Sequence, residues 1–134
     1  MANLTKIESI ESTYVEKLKK TGITTTEVLL ERGSSPKGRQ EICKATGISE
    51  EKVLRLVNLS DLFRIKGIGD EYSDLLEAAG VDTVPEMATR NAKNLYETLV
   101  TINQERNIVR QVPSQTTINK WIENAKTLPR VIKY

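Results

Sequence analysis

The stretch IESIESTYVEKLKKTGITT, beginning at Ile7, recurs later in the chain as IKGIGDEYSDLLEAAGVDT, beginning at Ile65. Self-similarity at a fixed offset constrains the fold more tightly than any bulk property, because each copy has to build the same local unit. Ile7 pairs with Ile65, Ile10 with Ile68, Tyr14 with Tyr72, Leu18 with Leu76, Gly22 with Gly80 and Thr25 with Thr83. In the second copy Tyr72, Leu75, Leu76 and Ala79 fall at i, i+3, i+4 and i+7, one apolar face of a helix, and Gly80 stands where a left-handed cap ends it. The first copy has the same cap at Gly22, but Lys17 replaces Leu75 and narrows its apolar face.

The segments after the two copies are related more loosely. Ser35 is placed to cap a helix with Pro36 at its first position and Gly47 just past its end. A further helix begins after Ser49, with Val53, Leu56 and Val57 on one face. After the second copy, Ala92, Leu95, Tyr96 and Leu99 share a face, and Ser114 caps a helix that buries Ile118, Trp121, Ile122 and Ala125. No segment alternates apolar and polar residues for long, and patches such as ITTTEV are too short and too rich in threonine for strands. The expectation is an all-α chain: two pseudo-repeats, at about 5–60 and about 61–128, packed as one compact body, with 129–134 as a tail.

Composition narrows the function classes. The 134 residues hold 38% apolar and 28% charged side chains, and no apolar run approaches the roughly 18 to 20 residues of a membrane span. The N-terminal segment has no signal-peptide core, so the expected location is cytoplasmic. There is no histidine and one cysteine, Cys43. An internal disulfide is therefore excluded, and the usual partners for zinc or for a nucleophilic thiol or serine are lacking. Cys43 reads as a small buried residue, and the chain as a non-enzyme with no cofactor and no evident small-molecule substrate. Net charge is only +2, but its placement is uneven. Arg106, Arg110, Lys120, Lys126, Arg130 and Lys133 stand against Glu123 alone at the C-terminal end, a candidate basic patch.

The IKGIG segment, with helix before and after and Gly80 closing the second helix, resembles the helix-hairpin-helix motif of DNA repair and replication proteins. From IESIESTYVEKL to LPRVIKY, the chain is similar to an uncharacterised bacterial family, a domain of unknown function made of two such repeats. Its most specific portion is DLFRIKGIGDEYSDLLEAAGVDTVPEMATRN. In such motifs the glycine-bearing hairpin lets phosphate oxygens approach backbone N–H groups, and the second helix offers its positive N-terminal end to the same anion. The resemblance assigns Gly67 and Gly69 as the motif glycines, Ile68 as the plug between the helices, and Arg64 and Lys66 as flanking cations. It also implies that hairpin carbonyls near Phe63, Ile65 and Ile68 can hold a monovalent cation. A helical bundle akin to sterile-alpha-motif domains is the matching architecture.

Two departures bear on the carry-over. Asp70 and Glu71 come directly after the second hairpin, and in the first copy Ser9 and Glu11 occupy the glycine positions. One hairpin rather than two is then competent, and binding to a DNA backbone is expected to be weak and nonspecific. The stretch EICKATGISEEKVLRLV has helix-turn-helix spacing around Cys43, Gly47, Ile48, Ser49 and Val53, but Glu50 and Glu51 at the start of its second helix oppose phosphates, so it reads as scaffold. Trp121, Tyr14 and Tyr72 read as core residues rather than stacking platforms. The neighbouring pairs Glu50-Glu51 and Asp70-Glu71 do not face each other on a helix and form no acid–base dyad. The expected function is a non-catalytic module with nucleic acid as partner; the alternative is an adaptor or scaffold that binds protein.

Overall fold

Capping residues set the boundaries of nearly every element in the computed structural model, which describes residues 3–7 and 10–134. After a short 3-10 turn over Leu4–Lys6 come α1 (Ser12–Lys20), α2 (Thr26–Arg32), α3 (Pro36–Thr46), α4 (Glu50–Leu62), α5 (Asp70–Ala78), α6 (Val84–Ala88), α7 (Ala92–Arg106) and α8 (Gln115–Thr127). The β structure among the described residues is one isolated bridge between Asn3 and Thr25. No helix among them is long and apolar enough to cross a membrane.

The chain divides into two compact units, Met1–Asp61 with Val131–Tyr134, and Leu62–Arg130. In the first, α1 packs on the 3-10 turn and on α3, which also meets α2. Leu4, Leu18, Ile23, Leu29 and Val57 are fully buried there. The final residues do not hang free as a tail. Lys133 N–H donates to the Ser34 carbonyl at 2.7 Å, and the Tyr134 hydroxyl to Asn58 Oδ1 at 3.0 Å. In the second unit α8 packs on α6 and α7, and α5 on α7. Its core gathers Leu62, Ile65, Leu75, Leu76, Met87, Leu99, Ile118 and Trp121.

The paired sequences make paired hydrogen bonds. Ile7 N–H donates to the Leu4 carbonyl and Ile10 N–H to that of Ile7, each at 3.2 Å; Ile65 to Leu62 and Ile68 to Ile65 do the same at 3.1 Å. The helix after each of these turns ends in a Schellman motif, whose sixth-residue amide reaches back to the third carbonyl from the end. Ile23 donates to Leu18 at 3.0 Å and Val81 to Leu76 at 2.9 Å, around Gly22 at φ 86° and Gly80 at φ 85°. Thr25 and Thr83 then cap α2 and α6 by accepting from Val28 N–H and Glu86 N–H. Arg32 Nη1, at the end of α2, donates to the Thr21 carbonyl at 2.6 Å and Arg90 Nη2, just past α6, to that of Gly80 at 3.1 Å, so in each copy an arginine at or after the second helix reaches back to the end of the first. Of the two residues at the motif-glycine positions of the first copy, Ser9 lies outside the described residues, and Glu11 is the N-cap of α1.

Candidate functional site

All five residues assigned to the second hairpin lie in the connection between α4 and α5, but they do different jobs. Ile65 and Ile68 are 0% and 5% exposed and enter the core of the second unit, so Ile68 is a core residue and offers almost no surface. The bond from Ile68 N–H to the Ile65 carbonyl closes a β-turn with Gly67 third at φ 93°, a position that glycine fills without the left-handed penalty of other residues. That bond also engages the Ile65 carbonyl, one of the oxygens considered for a cation. Lys66 N–H donates to Asn124 Oδ1 on α8 at 3.1 Å, which pins the turn, while the Lys66 side chain is exposed. Arg64 is half-buried and its Nη2 donates to the Pro129 carbonyl at 2.9 Å. Its guanidinium is thus held by the fold rather than extended toward a ligand.

The backbone amides divide accordingly. Those of Ile65, Lys66 and Ile68 are spent inside the protein, whereas those of Gly67 and Gly69 donate to no group among the described residues. Gly69 is the N-cap of α5 with no side-chain cap, so the positive end of that helix is left to Asp70 and Glu71, both in the first turn. The two glycines differ sterically. A Cβ at Gly67 would lie 3.0 Å from Trp121 Nε1, while one at Gly69 would meet nothing within 4 Å. Gly69 has an extended backbone, φ −129°, so neither a positive φ nor close packing requires glycine there, and what glycine gains over alanine inside the fold is its preference for the N-cap position.

The remaining sequence candidates lie on other segments of the chain. Arg106, Arg110, Lys120, Lys126 and Arg130 are all exposed, and Lys126 pairs with Glu123 at 3.2 Å. In the helix-turn-helix-like segment Ile48 and Val53 are buried, Ser49 Oγ accepts from Lys52 N–H at 3.3 Å, and Glu50 and Glu51 are exposed. Cys43 is half-buried rather than buried; desolvation first, and then Glu50, pushes its thiol above the usual range, which keeps it a poor nucleophile at neutral pH. No group of three or more metal-ligating side chains occurs among the described residues. Asn124 and Trp121 complete the hairpin's surroundings, and the roles of both escape the sequence reading: a helical repeat signals that a residue faces inward, not that its polar atom meets a distant turn.

Asp82 is half-buried. Burial first, and then Glu86 and Glu77, raise its carboxyl above the ordinary value, against the lowering effect of its own backbone hydrogen bond and Arg90. The folded carboxyl thus holds its proton to higher pH than the unfolded one. Stability is lost as pH rises through that window, and the full penalty persists above it. Asp82→Asn is expected to raise the melting temperature at pH 7 and to lose that advantage near about pH 3, below the ordinary carboxylate range. Thermal melts of both proteins at the two pH values test this; an advantage equal at both would show that ionisation is not its source.

No curated protein and no solved structure matches the chain. A family described as a domain of unknown function, DUF4332, matches residues 8–128, from the first repeat through the end of α8. The chain therefore belongs to the DUF4332 family.

Proposed function

We propose that this chain is a non-catalytic helix-hairpin-helix module whose second hairpin holds phosphate oxygens of a nucleic-acid backbone, weakly and without sequence preference. The observation that carries the reading is Gly69. A residue that needs neither a positive φ nor close packing is nonetheless glycine; its own amide and that of Gly67 are uncommitted, and it opens α5 without a side-chain cap. A missing side chain that the fold uses only as an N-cap suits close approach from outside, and the acceptor such amides select is an anionic oxygen. Exposed Lys66 adds a cation at the rim. Asp70 and Glu71 oppose it, which keeps affinity in the nonspecific range of about 10⁻⁴ to 10⁻⁶ M.

Gly69→Ala is the clean test. Its methyl group points into open space and alanine is the poorer N-cap, so folded stability should fall by no more than about 1 kcal/mol, while affinity for a labelled duplex, read by fluorescence anisotropy at low salt, falls at least about tenfold. Gly67→Ala is a poorer probe, because a left-handed alanine costs about 1–2 kcal/mol in the fold itself. Binding should also weaken as salt is added. A folded Gly69→Ala protein that binds as the parent does would remove the hairpin from the mechanism. If duplex, nicked and single-stranded DNA all fail to bind at low salt, the adaptor reading takes over, favoured by the acidic pair Asp70 and Glu71 at the same surface.

A further inference from the structure

Trp121 is the chain's single tryptophan. Its body is core: it is 3% exposed, and its ring lies tilted against Tyr72 with centroids 5.4 Å apart. Its one polar atom is not accounted for by the core. A buried indole N–H normally finds an acceptor, yet Nε1 of Trp121 has no hydrogen-bond partner among the described residues. Among those residues no fully buried side-chain nitrogen or oxygen lacks a partner. An unpartnered Nε1 must therefore reach the surface.

Gly67 decides where it does so. A Cβ on that residue would stand 3.0 Å from Nε1, so the absent side chain leaves the indole nitrogen uncovered against Gly67, whose own amide is uncommitted. The arrangement is rigid, because α8 carries both Trp121 and Asn124, whose Oδ1 pins Lys66 N–H at 3.1 Å.

We infer that Trp121 is a ligand-binding residue of the hairpin: its indole N–H donates, together with the Gly67 and Gly69 amides, to an oxygen of a phosphate group. This rests on the backbone-binding reading above. A phosphate oxygen offers enough lone pairs for converging donors. A neutral donor such as indole contributes a directional bond that does not depend on the local charge set by Asp70 and Glu71. Gly67 then has two reasons to be glycine, the turn it makes and the donor it uncovers.

The single tryptophan makes the test direct, since a ¹⁵N-labelled protein shows one indole N–H resonance. Titrated at low salt with a short duplex, that resonance and the Gly69 amide are expected to shift together and saturate at the same concentration. Inorganic phosphate in a parallel titration separates the sources: a response to duplex alone assigns the site to a polymer backbone, and an equal response to phosphate assigns it to the free anion. If the Gly69 amide shifts and the indole stays fixed, the inference fails while the hairpin reading stands; if neither moves, both fail. Trp121→Phe keeps an aromatic body and removes the donor. With helix content retained, it should lower duplex affinity about three- to tenfold, the worth of one hydrogen bond. A folded Trp121→Phe protein of unchanged affinity overturns the proposal, and if that variant does not fold, the titration of the unaltered protein decides alone.

Discussion

Gly38→Ala is expected to destabilise the chain by about 3 kcal/mol, the upper end of what overpacking costs. Helix propensity argues the reverse. Gly38 is the third residue of α3, and alanine there should gain up to about 1 kcal/mol over glycine. Packing reverses the sign, because a Cβ at this position would come 1.9 Å from the carbonyl oxygen of Arg32 and 3.1 Å from its carbon. Both are backbone atoms, which cannot turn aside as a side-chain tip can. The residue also donates its N–H to the capping Ser35 Oγ at 3.1 Å, so any shift that relieves the clash strains the helix start as well. Urea denaturation followed by far-ultraviolet circular dichroism measures the change, and an alanine variant more stable than its parent would refute the close approach of α3 to the end of α2.

Arg39→Ala should cost about as much and should free the chain end. Arg39 is 8% exposed and is satisfied by carbonyls: Nη1 donates to Gly33 O and Nη2 to Lys133 O, each at 2.8 Å. Its guanidinium carbon lies 5.9 Å from the centre of the Tyr134 ring, within the range of a cation–π contact. Charge-assisted hydrogen bonds contribute about 1.5–3 kcal/mol each, and deleting the donor leaves two carbonyls to be satisfied elsewhere. The total is set near about 3 kcal/mol because part of the loss is recovered by water at the end segment. Hydrogen exchange at Lys133 N–H, which donates to Ser34 O, reads the release directly and should accelerate. Arg39→Lys is expected to restore less than half of the stability, since one ammonium group cannot reproduce the planar fork that spans both carbonyls. Unchanged exchange at Lys133 would show that Arg39 does not hold the segment.

The helices that the sequence announces are those with a well-marked cap or a long apolar stripe. Ser35 with Pro36 and Gly47 marks α3, Ser49 the start of α4 and Ser114 the start of α8, because caps act through bonds within three or four residues. The helices α2 and α6 have caps at Thr25 and Thr83 but span 7 and 5 residues, too short for a helical period to register. Thr83 with Glu86 three residues on is a capping-box pattern that marks α6 once the need for a stripe is dropped. Cys43 shows the same limit from another side: helical spacing locates its side of α3, while the depth of its burial depends on neighbours from elsewhere in the chain.

At the hairpin the division is sharper. Sequence alone locates the turn, gives the isoleucines their place in the core and singles out the two glycines, because a repeated register and a positive-φ turn are local requirements. It treats Arg64 and Lys66 alike as flanking cations, and Gly67 and Gly69 alike as points of close approach. Tertiary structure separates each pair. Arg64 is tied to Pro129 O while the Lys66 side chain stays exposed, and Gly67 has a positive φ and lies against Trp121 while Gly69 is open to its surroundings and serves the fold only as an N-cap. The physical reason is the same throughout: local patterns encode bonds closed within a few residues, whereas Asn124, Pro129 and Trp121 reach the hairpin only through the packing of the helices, and it is that packing that decides which donors are used up within the fold and which are not.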